Sequence, residues 1–270
     1  MNDSIPGTQA VARAIRVLRI VAQGRTAGVS LGDVSRETGL SKPTAHRLLL
    51  ALAVEALVEQ DAAGRYYLGS DCYVLGRIAS ERFGIDRTAS DCVARLAQES
   101  GDSAFFSLRR DVYAVCVQRE DGSYPLKTHV LQPGSRHLLG AGAGSLAMLA
   151  ALPDEYIEAF VQSRGQQLEQ TYENLSVSKL RAGIATARER GFAVNEGLVV
   201  PGSWGVGVAI RAPDGDVVGA LSIAAVDSRL PTPRQAELGA RLIEEATLLE
   251  TNLRQREALR KVDKVGRRRN

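Results

Sequence analysis

Only three cysteines (Cys72, Cys92, Cys116), three histidines and one tryptophan occur among the 270 residues of this chain, and no apolar run is long. Each scarcity excludes something. An odd cysteine count without C-x-x-C spacing argues against a disulfide framework or a zinc site and for inert, buried thiols. The longest apolar stretches, such as Leu48 to Val54, fall far short of the roughly 20 residues a bilayer span requires. Met1 to Ala10, polar and carrying Asp3, Ser4 and Pro6, does not read as a signal peptide. A cytoplasmic protein with no membrane partner is expected. The histidines show no metal-binding spacing, and Gly202-Ser203-Trp204-Gly205 is not a Gly-x-Ser-x-Gly nucleophile elbow. No metal, no cofactor and no catalytic residue is therefore expected.

What is present points to two domains. The chain is 44% apolar and 24% charged, enough to fill two cores. Residues 1–84 hold 10 Lys/Arg against 8 Asp/Glu, residues 85–251 hold 16 against 21, and residues 252–270 hold 8 against 2. A mildly acidic middle thus precedes a strongly basic tail, an asymmetry that permits nucleic-acid binding without proving it.

The first eighty residues carry the sharper signal. Apolar residues at 11, 14, 15, 18 and 21 predict a helix over Thr8 to Gln23, stopped by Gly24. Ser30 caps a second helix over Leu31 to Thr38, which Gly39 breaks. Ser41 caps a third, running to about Glu55, with Pro43 tolerated in its first turn. Two short helices joined by a Gly-containing turn are the helix-turn-helix pattern. The outer face of the third helix gathers Ser41, Lys42, Thr44, His46 and Arg47 in its leading turns, the end that meets base edges and phosphates in a recognition helix. Arg47 suits a guanine edge, Thr44 a base edge or thymine methyl, Lys42 a phosphate. Leu57 to Gln60 and Arg65 to Gly69 flank a Gly turn and predict a hairpin, the wing, with Arg65 at its tip touching the DNA backbone. Ordinary surface charges on a small helical domain are the competing reading.

Leu31-Gly-Asp-Val-Ser-Arg-Glu-Thr-Gly-Leu-Ser-Lys-Pro-Thr-Ala-His-Arg-Leu-Leu, followed by Leu57-Val-Glu-Gln-Asp and Arg65-Tyr-Tyr-Leu-Gly, resembles the N-terminal domain of the IclR family of bacterial regulators. The resemblance implies that residues 8–70 are a winged helix-turn-helix DNA-binding domain. It also implies that 71–84 are a linker helix and 85–255 an effector-binding domain similar to GAF domains. Residues 256–270 remain as a basic tail.

The order of patterns beyond residue 85 agrees with an α+β domain and a mainly antiparallel sheet. A helix is predicted over 88–99 and strands over 103–108, 112–118 and 126–131. Helices follow over 143–152, 154–162 and 178–189. Strands over 192–195, 205–211 and 217–225 and a long helix from Pro233 complete the chain.

Two stretches are candidates for ligand contact. In Gly134 to Leu149, small residues at 140–145 precede a helix, so free N–H groups could face an anion, although neither a Walker A motif nor a dinucleotide fingerprint is formed. Close packing of this loop on the sheet is the alternative. The family usually has a basic residue within this stretch, where the chain reads Ala143-Gly-Ser-Leu-Ala, and Arg136 and His137 could replace its charge. In Asn195 to Ile210 the polar groups that bind small oxoacids in some members are replaced by Val199, Val200 and Val208-Ala209. The resemblance thus implies a more apolar pocket, fitted to an aromatic or medium-sized organic acid. Arg136, His137, Leu139, Gly142, Ala143, Trp204 and Ser222 are its candidate residues.

A ligand-controlled DNA-binding regulator is the function expected. Its partners would be a double-stranded DNA operator and a small-molecule effector. A homodimer or dimer of dimers is expected through the helices near 11–23 and 71–83. An enzyme of small organic acids and an adaptor using the winged helix for protein contacts are the alternatives. Repressor and activator stay open.

Overall fold

In the computed structural model the chain divides into two units, Met1–Phe83 and Gly84–Asn270. Residues 7–83, 86–128 and 131–266 are described, with side chains at 7–79, 88–128 and 131–259; His129 and the end of the basic tail, 267–270, lie outside them.

The first unit begins with α1 (Gln9–Gln23), whose apolar spacing buries Val17 and Val21, and Gly24 closes it. After a short 3-10 turn at Arg25–Ala27, α2 (Leu31–Thr38) opens on a reciprocal cap. The Ser30 hydroxyl accepts from the Asp33 N–H at 3.1 Å while the Asp33 carboxylate accepts from the Ser30 N–H at 3.1 Å. Two otherwise unpaired donors of the first turn are thereby satisfied. Gly39, in the left-handed region at φ 70°, ends α2 and turns the chain into α3 (Lys42–Val54). Strands β1 (Val58–Gln60) and β2 (Tyr66–Leu68) pair as a hairpin with Glu59 opposite Tyr67. The helix α4 (Ser70–Phe83) follows. Val17, Val21, Val34, Ala45, Leu49, Val58 and Tyr66 form the core, so α3 is held by its inner stripe alone.

The second unit runs α5 (Asp86–Ser100), β3 (Ser103–Arg110), β4 (Tyr113–Asp121), β5 (Arg136–Leu138), then α6 (Ala143–Ala150), α7 (Asp154–Thr171) and α8 (Val177–Arg190). It ends with β6 (Ala193–Glu196), β7 (Ser203–Arg211), β8 (Val217–Val226) and α9 (Thr232–Gly266). The sheet order is β5-β4-β3-β8-β7-β6, every neighbouring pair antiparallel. The fold is thus α+β with an antiparallel sheet. Its central pair joins distant segments: Ser103 lies opposite Ala224 and Leu108 opposite Gly219.

Strand periodicity sends alternate residues to opposite layers. Phe106, Val206, Ile210, Leu221 and Ile223 pack with α5 and α9, burying Cys92, Leu96, Leu242 and Leu249. Ala114, Val217 and Ala220 join the core built by α6, α7 and α8, which buries Met148, Leu149, Phe160, Leu168 and Leu180. Asp102, almost fully buried, ties β3 to the start of α9 by accepting from Arg229 and Arg234 at 2.8 Å each.

Two expectations need correction. The segment 126–131 forms no strand at its described residues; β5 lies further on, because Tyr113, Ala114 and Val115 pair with Leu138, His137 and Arg136. The helix expected to end at Gln162 continues to Thr171, since Gly165 and Leu168 are also buried. Arg65 closes the tip loop of the wing, residues 61–65, next to the last pair of the ladder, Gln60 with Tyr66.

Candidate functional site

The outer surface of α3 is polar because its apolar residues are spent inward. Ala45, Leu49 and Leu52 are buried, whereas Ser41, Lys42, His46 and Arg47 are exposed and Thr44 is half-buried. The hydroxyls of Ser41 and Thr44 share a hydrogen bond at 2.9 Å. That adds a side-chain link to the backbone bond in which the Ser41 carbonyl accepts from the Ala45 N–H at 2.9 Å; Pro43, lacking an N–H, occupies a position whose amide a cap would ordinarily satisfy. Thr44 and Arg47, three residues apart, share one helix face. Lys42, His46 and Arg47 make no hydrogen bond or ion pair among the described residues. With the positive end of the helix dipole, this surface suits a polyanion.

Arg65 is placed differently. Its guanidinium donates to the carbonyl oxygens of Ala27 at 2.5 Å and Gly28 at 2.6 Å, bracing the wing against the 3-10 turn. Asp61 shapes the tip: one carboxylate oxygen accepts from the Ala63 and Arg65 N–H groups at 2.9 Å each, the other from the Tyr67 hydroxyl at 3.0 Å. The Arg65 N–H first, then Tyr67 and Ala63, hold the Asp61 carboxyl below its ordinary range against a smaller opposing effect of desolvation.

In the second unit a cavity of about 390 Å³ lies between the sheet, the N-terminus of α6 and the β6–β7 loop. Of the candidate residues, Arg136, His137, Gly142, Ala143, Trp204 and Ser222 come together around it. Leu139 does not: it is fully buried in the α6–α8 core, one residue past the edge strand, and is corrected from ligand contact to packing. Sequence reasoning missed Phe105 and Ser107 on β3, Tyr172 after α7, and Asn195 on β6. These come from separate segments that only the strand order joins. Asn195 carried one weak local sign, a polar residue at an inward position of a short strand whose other inward residue is Ala193. It is buried, donates to the Ala141 carbonyl at 2.7 Å and accepts from the Leu198 N–H at 3.1 Å, fixing both loops around the cavity.

Charge in the wall is sparse and of one sign. Among the lining residues no carboxylate occurs, and Arg136 is the cation, its guanidinium 3.5 Å from the Tyr113 ring centroid. Burial pushes His137 down to about 4, so it is neutral near pH 7, and its Nδ1 is buried without a partner among the described residues. The first N–H groups of α6, at Ala143, Gly144 and Ser145, precede the first helical acceptor turn. Phe105, Val199, Val200 and Trp204 supply apolar wall. This arrangement can hold a planar or aliphatic body and one anionic group. Cys92 is no reactive centre: burial first, then Glu245, pushes its thiol up to about 12.

The winged helix-turn-helix of the first unit is the fold of a DNA-binding regulator. Residues 10–62 match the IclR helix-turn-helix domain, and residues 79–250 match the C-terminal domain of bacterial IclR transcriptional regulators. The chain belongs to the IclR family, whose members are transcriptional regulators rather than enzymes.

Among similar proteins is one named "Probable HTH-type transcriptional regulator ArcR" from Halobacterium salinarum, 26% identical over 246 residues, covering 90% of this chain and 93% of that protein. The crystal structure of an IclR regulator from Alicyclobacillus acidocaldarius superposes with a TM-score of 0.75 at 23% identity, covering 93% of this chain and 99% of that one. An IclR homologue from Microbacterium hydrocarbonoxydans, solved in complex with 4-hydroxybenzoate, gives a TM-score of 0.75 at 22% identity, covering 92% and all of that chain. Among the described residues, no helix is long and apolar enough to cross a membrane.

Proposed function

We propose that this regulator binds a small aromatic carboxylic acid in the cavity beneath α6 and that the acid sets its affinity for a DNA operator. The observation that carries the reading is the composition of the cavity wall: apolar and aromatic surface, no carboxylate, and one guanidinium beside a helix N-terminus. A volume of about 390 Å³ lies in the range of small-molecule sites. The 4-hydroxybenzoate held by the Microbacterium homologue is a ligand of this chemical class.

At the DNA end, α3 enters the major groove with Thr44 and Arg47 on base edges and with Ser41, Lys42 and His46 near phosphates. Arg65 holds the wing in position and lies in its tip loop, where the wing would meet the DNA backbone. One winged helix reads only a few base pairs, so two copies on a repeated or palindromic site are required for specificity. Val11 and Ile15 on α1 and Tyr73, Val74, Leu75 and Ile78 on α4 are exposed in the single chain, which favours a dimer through these two helices. Pairing of two such dimers and action in the cytoplasm complete the reading. The effector acts through its differential affinity for the DNA-competent and incompetent arrangements.

Footprinting followed by titration of the protected site tests the DNA contacts. Arg47→Ala and Thr44→Ala should each weaken operator binding by about 10- to 100-fold, corresponding to roughly 1–3 kcal/mol for a specific base contact. Non-operator DNA should be little affected. Unchanged operator affinity in both variants would overturn the assignment. Calorimetry with 4-hydroxybenzoate and glyoxylate tests the effector: binding confined to glyoxylate would reject an aromatic acid.

A further inference from the structure

The cavity wall leaves the imidazole of His137 without a partner. In the register of the sheet His137 lies opposite Ala114, and Ala114 belongs to the core built by α6, α7 and α8. Residues opposite one another in an antiparallel pair share a face, so the imidazole stands on the side of β5 that faces α6 and the cavity. Among the described residues neither ring nitrogen has a hydrogen-bond partner, and Nδ1 is buried. Nε2 looks towards the start of α6: a Cβ on Gly142, the N-cap residue, would stand 3.6 Å from it and 3.9 Å from the Ser145 hydroxyl. That hydroxyl is already engaged, accepting from the Gly142 N–H at 2.8 Å and donating to the Gly142 carbonyl at 2.9 Å. A proton on Nδ1 would be a buried donor that no acceptor reaches, whereas a proton on Nε2 faces the cavity, where an incoming acceptor satisfies it.

We infer that His137 donates its Nε2–H to the carboxylate of the effector, beside the opening N–H groups of α6, and that binding of the acid draws a proton onto this ring. The inference rests on the proposed binding of an organic acid in the cavity and adds how the acid is held. A bond from a neutral donor to an ionised acceptor is stronger than one between neutral groups. Without ligand, burial holds the imidazole to about 4. A carboxylate brought against it favours the charged ring, so the complex keeps its proton to higher pH than the free chain. Affinity then rises as pH falls, because the complex binds more protons than its separate parts. The titratable groups set around the ring are Arg136 on β5, Tyr113 and Cys116 near Ala114 on β4, and Tyr172 after α7; α6 carries none. No carboxylate is among them to mimic the response.

The test is calorimetry on the full chain between about pH 7.5 and 5.5, with 4-hydroxybenzoate and glyoxylate as probes. The unaltered chain should bind about 4-fold more tightly at the lower pH. His137→Leu should weaken binding about 10-fold at the higher pH, the scale of a hydrogen bond to a charged group, and should abolish the rise. His137→Gln keeps an N–H donor but does not titrate, so it should bind within about 3-fold of the unaltered chain and show no rise. Gly142→Ala should fold normally, its backbone at φ −108° and its contacts at ordinary distance, yet weaken binding by setting a methyl against Nε2. Unfolding midpoints check that all three variants are folded. Equal losses in His137→Gln and His137→Leu, or a pH response that either retains, would overturn the inference. So would 4-hydroxybenzoate binding that is the same in every variant, although the aromatic acid would then stand. Binding of glyoxylate alone, with the His137 pattern intact, would reject the aromatic acid and support the inference. Binding of neither probe would overturn both.

Discussion

The Cβ that Gly207 lacks would stand 2.6 Å from the backbone nitrogen of Gly144. The first turn of α6 therefore rests directly on the bare backbone of β7, and the same turn forms the edge of the cavity. Glycine is required at 207 for close approach, since its nearest neighbours are backbone atoms of Ala143 and Gly144 that cannot swing aside. Gly207→Ala should push α6 off the sheet and destabilise the second unit by about 1–3 kcal/mol, the usual cost of overpacking. Denaturant unfolding followed by far-UV circular dichroism measures this. Gly205→Ala meets its nearest atoms only at 3.2 and 3.3 Å, so its loss should be smaller. Equal stability of the Gly207 variant and the unaltered protein would mean that α6 is not seated as described.

Arg65 allows a separation of bracing from DNA contact. Its two bonds to the Ala27 and Gly28 carbonyls carry a charged donor, and such bonds contribute about 1.5–3 kcal/mol each when shielded. The side chain is only half-buried, so Arg65→Ala should cost the N-terminal unit nearer 1–3 kcal/mol in all. Lower stability should come with weaker binding to operator and non-operator DNA alike. Unchanged stability with lost DNA affinity would make Arg65 a direct phosphate ligand alone.

These two residues also mark what the sequence could convey. The helix-turn-helix was legible because its punctuation is local: Ser30 with Asp33 three residues on, Gly39 after Thr38, Pro43 after Ser41. Caps and breakers act within four residues, so their spacing is visible. Arg65 was legible as part of the wing, but its bonds reach back 37 and 38 residues to a loop whose position no local pattern gives. Leu126 to Leu131 had strand-like composition but lost its place in the sheet to Arg136–Leu138, a choice made by register with β4. The cavity was half legible. Gly142, Ala143 and Trp204 lie in sequence runs that are themselves unusual, whereas Phe105, Ser107 and Tyr172 become neighbours only through the pairing of β3 with β8 and the return of α7. Leu139 was misplaced by one residue of register, enough to move a side chain from cavity to core.

His137 makes the second unit sensitive to mild acid. The unfolded side chain takes a proton near pH 6.5, but burial holds the native one to about 4. The unfolded chain therefore binds the proton first as pH falls, and the stability that the neutral native side chain confers is complete above about pH 6.5. It declines as pH drops from 6.5 towards 4 and changes no further below that. Between pH 7 and pH 5 the expected loss is about 2 kcal/mol. Denaturant unfolding of the unaltered chain and of His137→Leu at both pH values isolates the contribution. The variant should lose less stability over this interval, and an identical loss would show that another group governs the acid response.

Because the chain contains a single tryptophan and Trp204 lines the cavity, its emission reports directly on whatever enters. Titration with 4-hydroxybenzoate should change that emission saturably, and Trp204→Ala should weaken binding about 2- to 10-fold, the equivalent of roughly 0.5–1.5 kcal/mol for an aromatic contact. The anionic end of the ligand needs its own comparison, because an aromatic wall alone does not select an acid. Arg136 is exposed at the cavity, stacked on Tyr113, and is the full positive charge among the lining residues. Its attraction for a carboxylate is screened by water, so its contribution should be modest. Arg136→Gln should weaken 4-hydroxybenzoate about 3- to 10-fold while leaving 4-hydroxybenzamide, of the same shape but neutral, nearly unaffected; up to roughly 1.4 kcal/mol is thus assigned to charge. An equal loss for acid and amide would mean that Arg136 shapes the cavity mouth instead of pairing with the ligand. Selection of the acid would then rest on the N–H groups that open α6.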